Sequence, residues 1–475
     1  MFQHLSDFNS WFNAIAWGLP LIALLVGGGL ILLVFSRLLP FTGFTHALRL
    51  TLGKYHHPGD ENDPGQISHF KALCNALAAT IGLGNIAGVA VAITQGGPGA
   101  ILWMWIAALV GMNTKFFECT LAVMYRGKDH TGQVQGGPMY VIQNALPRAF
   151  KPLAVFFAVC GLVGTTAIYT ANQTVSFFHA AYGQHGQTAA TIFGIPRDRL
   201  ILGIALAALV TYVLLGGIKR LARWTAAMVP VMCLFYVCAA LVVIALHLDA
   251  VPAALASIFT QAFSPDAALG GTQGAFVAVL ITGIKRAAFS NEAGIGTAPM
   301  AHSNAKTTEP VSEGLVAMLG PMIDTLIVCT MTALVILVSL GPADYQGRKG
   351  VVLTHYAFTQ TFGAWGTHGL AIAVALFGFS TMVGMANYNS KCFDYLVRNR
   401  LGAAGRWVFL VWFTFTLILG AAAPHDDMIN LVDSAYALMA IPTMTSSLLL
   451  APRVTRALRD YKRKYFGKTS NPCTD

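Results

Sequence analysis

The polar residues of this chain that could do chemistry sit inside apolar runs. In Ala78-Ala79-Thr80-Ile81-Gly82-Leu83-Gly84-Asn85-Ile86-Ala87-Gly88, glycines, a threonine and an asparagine meet at the middle of a segment otherwise fit for a bilayer. Glycine permits non-helical backbone and close approach of a ligand. Gly84 and Gly88 also form GxxxG, a helix-packing pattern, but packing does not account for Thr80 and Asn85 at that depth. Irregular backbone inside a membrane lines a cavity, so the stretch reads as a broken helix carrying a binding site. A second apolar run, from Gly274, meets Lys285 and Arg286 and then Phe289-Ser290-Asn291-Glu292-Ala293-Gly294-Ile295-Gly296. On the residues alone, that helix either ends near Lys285 in a cytoplasmic loop or breaks and resumes. A third run holds Phe379-Ser380-Thr381. Its hydroxyls either bond back to their own helix or offer hard oxygens to a sodium ion.

The elements that must position these residues are membrane spans. Charged residues make up 11% of the 475 residues and hydrophobic ones 55%, and the mean hydropathy is +0.61. A soluble domain carries roughly 25% charged residues. At about 20 apolar residues per span, eleven spans are predicted: Ala14–Val34, Phe70–Gln95, Ala100–Met124, Leu153–Ala181, Leu200–Gly216, Trp224–Leu248, Gly274–Ser303, Val311–Leu340, Leu370–Val397, Trp407–Ala423 and Ile429–Ala451. The first is too long for a signal-peptide core and lacks a basic flank before it, so it reads as a retained helix.

The net charge of +10 does not point to nucleic acid, because the basic residues cluster in alternate loops. One set runs from Arg37 through Lys54, Arg126, Lys219, Lys306 and Lys391 to the tail Arg453–Lys468. The opposite set carries only Arg197, Arg199, Arg348 and Lys349. This bias predicts an outside N-terminus and a cytoplasmic C-terminus, with the basic tail beside anionic lipid. The eight cysteines form no CxxC pair and read as small core hydrophobes, not a disulfide or metal frame. Among intramembrane polar residues are Asn172, Gln173 and Asp433. Glu118 and Asp324 stand where pairing with Lys115 or Arg286 would give them a structural role.

With the first span set aside, ten remain, in two fives of opposite orientation. Each five opens on an interrupted segment, the pattern of an inverted repeat with a site at the membrane midplane. Half-helix N-termini there attract a carboxylate, and freed carbonyls accept sodium or an ammonium group. The expected fold is all-α and polytopic, with residues 1–69 as an extra helix and linker. Residues 70–250 and 270–451 are the two five-helix repeats, and 452–475 a basic cytoplasmic tail. No HExxH or GxSxG occurs, and Gly467-Lys468-Thr469 lacks the upstream glycine of a phosphate loop, so an enzyme is not expected. A channel would show a repeated filter or charged rings.

Several motifs resemble the alanine or glycine:cation symporter family. They are Gly84-Asn85-Ile86-Ala87-Gly88-Val89-Ala90, Gly96-Gly97-Pro98-Gly99-Ala100, Trp103-Met104-Trp105, Lys115-Phe116-Phe117-Glu118-Cys119, Gly136-Gly137-Pro138-Met139-Tyr140, Phe289–Gly294, Ile323-Asp324-Thr325-Leu326 and Phe379-Ser380-Thr381. The resemblance implies a leucine-transporter-type fold in a prokaryotic cytoplasmic membrane. It implies uptake of a small neutral amino acid with sodium as coupling ion and no cofactor. It sets the second break at Phe289–Gly294. It also implies substrate contacts at Thr80, Gly82, Leu83, Gly84, Thr170, Phe289, Asn291 and Thr381. Sodium would be held by the carbonyls of Ala78 and Ile81 and the hydroxyls of Ser380 and Thr381. The chain departs from the family at Leu83, where threonine is usual, and at Thr170, where glutamine is usual. It departs again over Met385-Ala386-Asn387-Tyr388-Asn389-Ser390. A proton-coupled carrier of another small amino acid, or a channel, are the alternatives.

Overall fold

The computed structural model describes residues 2–465 apart from 55–63, 129–131, 184–190, 193–194, 264–274, 346, 399–400, 403 and 424. Gly274, Arg400, Lys468 and Cys473, used in the sequence reading, lie outside the described residues. In chain order the helices are α1 (Phe2–Ala16), α2 (Leu19–Ser36), α3 (Phe44–Thr51), α4 (His69–Thr80), α5 (Gly84–Gly96) and α6 (Ala100–Met124). Then come α7 (Pro138–Ala145), α8 (Arg148–Tyr182), α9 (Arg197–Leu214), α10 (Gly217–Leu246), α11 (Val251–Gln261) and α12 (Ala275–Asn291). The series ends with α13 (Ala298–His302), α14 (Pro310–Ser339), α15 (Val351–Phe362), α16 (Ala364–Val397), α17 (Ala404–Ala422) and α18 (Asp426–Tyr465). Two hairpins of two-residue strands are the only sheet among the described residues.

Among the described residues, eight of these helices are long and apolar enough to cross a membrane, and the pair α4 and α5, bent by 50°, is long and apolar enough to count as a ninth when taken as one broken span. The other two expected spans fall on α9, which has Arg197, Asp198 and Arg199 in its first turn, and on α12, which has 17 residues. Large apolar side chains of α10 such as Val231, Leu234, Leu241 and Val242 are exposed, as lipid-facing residues should be. The interior lies where α6 packs on α12 and α14.

Local chemistry explains where helices start and stop. Ser68 caps α4, its Oγ accepting the Lys71 N–H at 3.4 Å. Helix α4 stops at Thr80 because Ile81 turns extended, at φ −76° and ψ 96°. Helix α12 continues past Lys285 to Asn291, so the loop-end alternative falls. The break also sits later than Phe289–Gly294: Phe289, Ser290 and Asn291 are still helical, and the turn runs from Glu292 (φ 57°) through Gly294 (84°) and Gly296 (93°). Asn291 marks the stop by accepting the Ala293 N–H on its Oδ1 at 3.0 Å. Helix α8 is interrupted at Ala167 (φ 56°), where Thr165 and Thr166 hydroxyls bond back to Gly161 and Val163 carbonyls at 2.6 and 2.9 Å. The basic stretch from Arg453 continues α18 as helix to Tyr465.

Candidate functional site at two interrupted segments

The first break has the chemistry of an ion and zwitterion site. In a continuous helix the Gly82 N–H would donate to Ala78 O and the Asn85 N–H to Ile81 O. Here Gly82 N–H donates to Asn85 Oδ1 at 3.2 Å, and Asn85 N–H to Gly82 O at 3.1 Å. The carbonyls of Ala78 and Ile81 are therefore released from the helical ladder. Helix α5 starts at Gly84, so the early N–H groups of its first turn are also without helical acceptors.

Helix α16 closes on this break. A side chain at Gly82 would collide with Thr381 Oγ1, and one at Gly384 would lie 2.7 Å from the Ala79 nitrogen. Both glycines thus let two backbones and a hydroxyl meet. Thr381 Oγ1 is buried with no hydrogen-bond partner among the described residues. Ser380 is spent differently: its hydroxyl donates to Phe377 O at 3.0 Å and lies 3.3 Å from Met232 Sδ. Thr80 likewise donates to Ala76 O at 3.3 Å.

The second segment supplies the opposing wall. A Cβ on Gly84 would lie 3.4 Å from Phe289 Cε1. The Phe289 ring meets Tyr169 edge-on at 5.2 Å between centroids and Tyr436 at 5.8 Å. The Arg286 guanidinium sits over it at 5.1 Å. Leu83 is buried. Thr170 gives its carbonyl to Thr174 Oγ1 at 2.8 Å, and Thr174 packs against Gly378, one turn from Thr381. The expected substrate and sodium residues therefore gather on α4, α5, α12 and α16, with Thr170 on the adjoining face of α8.

The structure adds residues that the sequence reading did not assign to the site. Asp324, in the π-helical stretch Met322–Cys329 of α14, joins both segments. Its Oδ1 accepts Asn85 Nδ2 at 2.6 Å and its Oδ2 accepts Ser290 Oγ at 2.5 Å. Asn291 Nδ2 donates to Thr325 Oγ1 at 3.0 Å. The expected pairing of Glu118 or Asp324 with Arg286 is corrected: Arg286 and Lys285 both pair with Asp433, the latter at 2.9 Å. Lys285 also donates to Asn13 Oδ1 at 2.5 Å, and Trp17 Nε1 to Asp433 O at 2.9 Å, so the N-terminal helices brace this pair. Asn172 is structural, its Nδ2 donating to Gly420 O at 3.0 Å and Ala423 O at 2.7 Å. Asn85 was visible as a polar residue at depth; Ser290 carried no signal beyond its place in the Phe289–Gly294 motif, and Tyr169 carried none.

A helical membrane bundle with two interrupted segments facing one another defines a transporter by fold and site together. The chain belongs to the sodium:alanine symporter family, whose family model matches residues 2–473. It is 38% identical over 459 residues to the sodium/alanine symporter AgcS of Methanococcus maripaludis, covering 95% of this chain and 96% of that one. It is 33% identical over 455 residues to the probable sodium/glutamine symporter GlnT of Bacillus subtilis, covering 95% and 90%. In fold it matches a manganese transporter mutant of Eremococcus coleocola, with a TM-score of 0.55 and 12% identity over 86% of this chain and 92% of that one. The family makes this a multi-pass membrane protein of cation-coupled amino-acid symport.

Proposed function

We propose that this chain carries a small neutral amino acid of the alanine or glycine class into the cytoplasm, driven by sodium, by alternating access. The observation that carries the reading is the placing of the buried Thr381 hydroxyl, unpartnered among the described residues, against Gly82, at the break that releases the Ala78 and Ile81 carbonyls. A hard cation takes such oxygens in place of water. Ser380, with lone pairs left after bonding to Phe377, completes the set.

The substrate lies on the other side of the same break. Its carboxylate takes the free N–H groups of Leu83 and Gly84 at the start of α5; the Gly82 N–H is already engaged by Asn85. Phe289 and Leu83 form apolar walls, Thr80, Thr170 and Thr381 offer hydroxyls, and Asn291 holds the second segment in place. Gly82 and Gly84 let Thr381 and Phe289 come close to the backbone, which favours a small substrate side chain.

Residues 70–250 and 270–451 act as the two inverted repeats that rock about this site, with the N-terminus outside and the basic tail in the cytoplasm. Uptake of labelled alanine into proteoliposomes tests the reading. An inward sodium gradient should drive accumulation, and unlabelled glutamine should compete less well than unlabelled alanine. Accumulation that ignores sodium and follows a proton gradient would overturn the ion. Stronger competition by glutamine would overturn the substrate class.

A further inference from the structure

Glu118 stands apart from the other two interior carboxylates. Asp324 accepts Asn85 Nδ2 at 2.6 Å, Ser290 Oγ at 2.5 Å and Thr325 Oγ1 at 2.9 Å. Glu292, at the second break, accepts Thr297 Oγ1 at 2.5 Å and Tyr436 OH at 3.2 Å. Glu118 is 3% exposed, yet neither of its carboxylate oxygens has a hydrogen-bond partner among the described residues. The Gly294 N–H faces it from outside hydrogen-bonding geometry.

The charged and titratable groups around it are few. On α6 they are Lys115 and Cys119, and from the second break Glu292. From α16, Tyr388 is within electrostatic reach of Glu292 and Cys119, and its buried hydroxyl is also unpartnered among the described residues. From α14, Glu313 acts on Cys119 but is itself held by His69 and His302. From α18, Tyr436 is spent on Glu292. Lys115 is the cation that acts on Glu118, Glu292 and Asp324 alike.

One ammonium cannot neutralise three carboxylates, and an ionised carboxylate buried without donors is strongly disfavoured. Hydrogen-bond donors favour the ionised form; Asp324 and Glu292 have them, and among the described residues Glu118 has none within hydrogen-bonding geometry. The geometry points to Glu118 as a proton-carrying site, apart from the sodium site, that exchanges its proton when the second break rearranges. The inference rests on the transport reading above for its role, though not for the site itself.

The step balances in atoms and charge. The Glu118 O–H bond breaks and the proton passes to water. The carboxylate left behind takes the Gly294 N–H as donor and Lys115 as counter-charge. Asn387, next to Tyr388 in the chain, lines a cavity of about 230 Å³ at the basic end of the bundle, together with Ala386, Ser390 and Lys391. The proposed way out for the proton runs past Tyr388 and Asn387 to this cavity.

The test uses the purified full chain in detergent, so it stands apart from uptake. Infrared spectra in light and heavy water read the C=O stretch of a protonated carboxyl group. At neutral pH the band should be present in the wild type, lost in Glu118→Gln and kept in Glu292→Gln. Adding sodium chloride with alanine to weakly buffered protein should release protons to a pH dye, and Glu118→Gln should abolish that release. If Glu118→Gln does not fold, Glu118→Asp should shift the band. A wild-type protein without the band overturns the proposal, as does a band lost in Glu292→Gln but kept in Glu118→Gln, or one unshifted in Glu118→Asp. A present, Glu118-dependent band in a protein that takes up no alanine would uphold the proton site and sink the transport reading instead.

Discussion

The Asn85 side chain joins the first break to Asp324 on α14. Its Nδ2 donates to Asp324 Oδ1 at 2.6 Å and to the Asp324 carbonyl at 3.1 Å, while its Oδ1 accepts the Gly82 N–H at 3.2 Å. The same hydrogen bond to Gly82 is what releases the Ala78 carbonyl. Asp324 in turn accepts Ser290 of the second segment, so one amide and one carboxylate tie the two interrupted segments together.

Asn85→Ala should therefore do two things at once. It leaves the Gly82 N–H and Asp324 Oδ1 short of a partner in a buried place, at about 1–3 kcal/mol for each unmet group. It also lets Gly82 return to Ala78 O and continue the helix. The expected result is a lower melting temperature in detergent together with lost sodium-dependent binding. A variant that melts like the wild type and still responds to sodium would show that the amide neither braces nor opens the break.

Much of this arrangement was legible in the sequence, for a physical reason. A polar group inside an apolar run must find a partner or face a cavity, so Thr80, Asn85, Asp324, Ser380 and Thr381 mark the interior in the sequence itself. Composition and the alternation of basic loops marked the spans. What stayed hidden was pairing across distance. The depth of Glu118 and Asp324 in their spans suggests Lys115 or Arg286 as a partner, whereas the fold brings Asp433 to Arg286 from the last helix. The later position of the second break was hidden too, because Phe289-Ser290-Asn291 can be helical or not until Asn291 caps the chain.

Thr381 and Ser380 looked equivalent in sequence and are not. Thr381 Oγ1 is unpartnered among the described residues, while Ser380 donates to its own helix. Thr381→Ala should weaken sodium activation of uptake by several-fold or more, and Ser380→Ala by less. The sodium concentration at half-maximal uptake measures both. The reverse order would move the ion away from Thr381.

Gly82 should tolerate no side chain while Thr381 keeps its hydroxyl, because an added Cβ occupies the place of Thr381 Oγ1. Gly82→Ala should unfold at a lower temperature than wild type. Gly82→Ala with Thr381→Ala should recover part of that loss without recovering the sodium response. Such non-additivity is the mark of residues in direct contact. Additive losses would mean that the two do not touch.

Asp433 balances two cations, Lys285 and Arg286, within the bundle. Removing one partner of a buried pair leaves a charge uncompensated, at about 3–5 kcal/mol. Asp433→Asn should lower the melting temperature more than Lys285→Gln, because the second variant keeps the Arg286 pair. Equal melting temperatures for the two would argue that water reaches Asp433.

Selectivity should be set at Thr170 and Phe289, and α8 separates two neighbouring residues cleanly. Tyr169 turns its ring to Phe289 at 5.2 Å, whereas Thr170 lies one turn from Thr174, which packs against Gly378 on α16. Residues four apart share a helix face, so Thr170 looks toward the α16 surface that carries Thr381. A glutamine at position 170 adds length and an amide on that side of the substrate. The smaller threonine leaves space there for one or two more substrate atoms, and one methylene changes discrimination by about 1–3 kcal/mol. Thr170→Gln should therefore weaken competition by leucine relative to alanine, by about tenfold for one methylene's worth of lost space. Tyr169→Phe keeps the ring against Phe289 and should leave the ranking of glycine, alanine, serine and leucine unchanged. Competition assays with those four amino acids on both variants decide the matter. An unaltered ranking in Thr170→Gln would remove Thr170 from the pocket wall, and an altered one in Tyr169→Phe would assign the discrimination to the tyrosine hydroxyl.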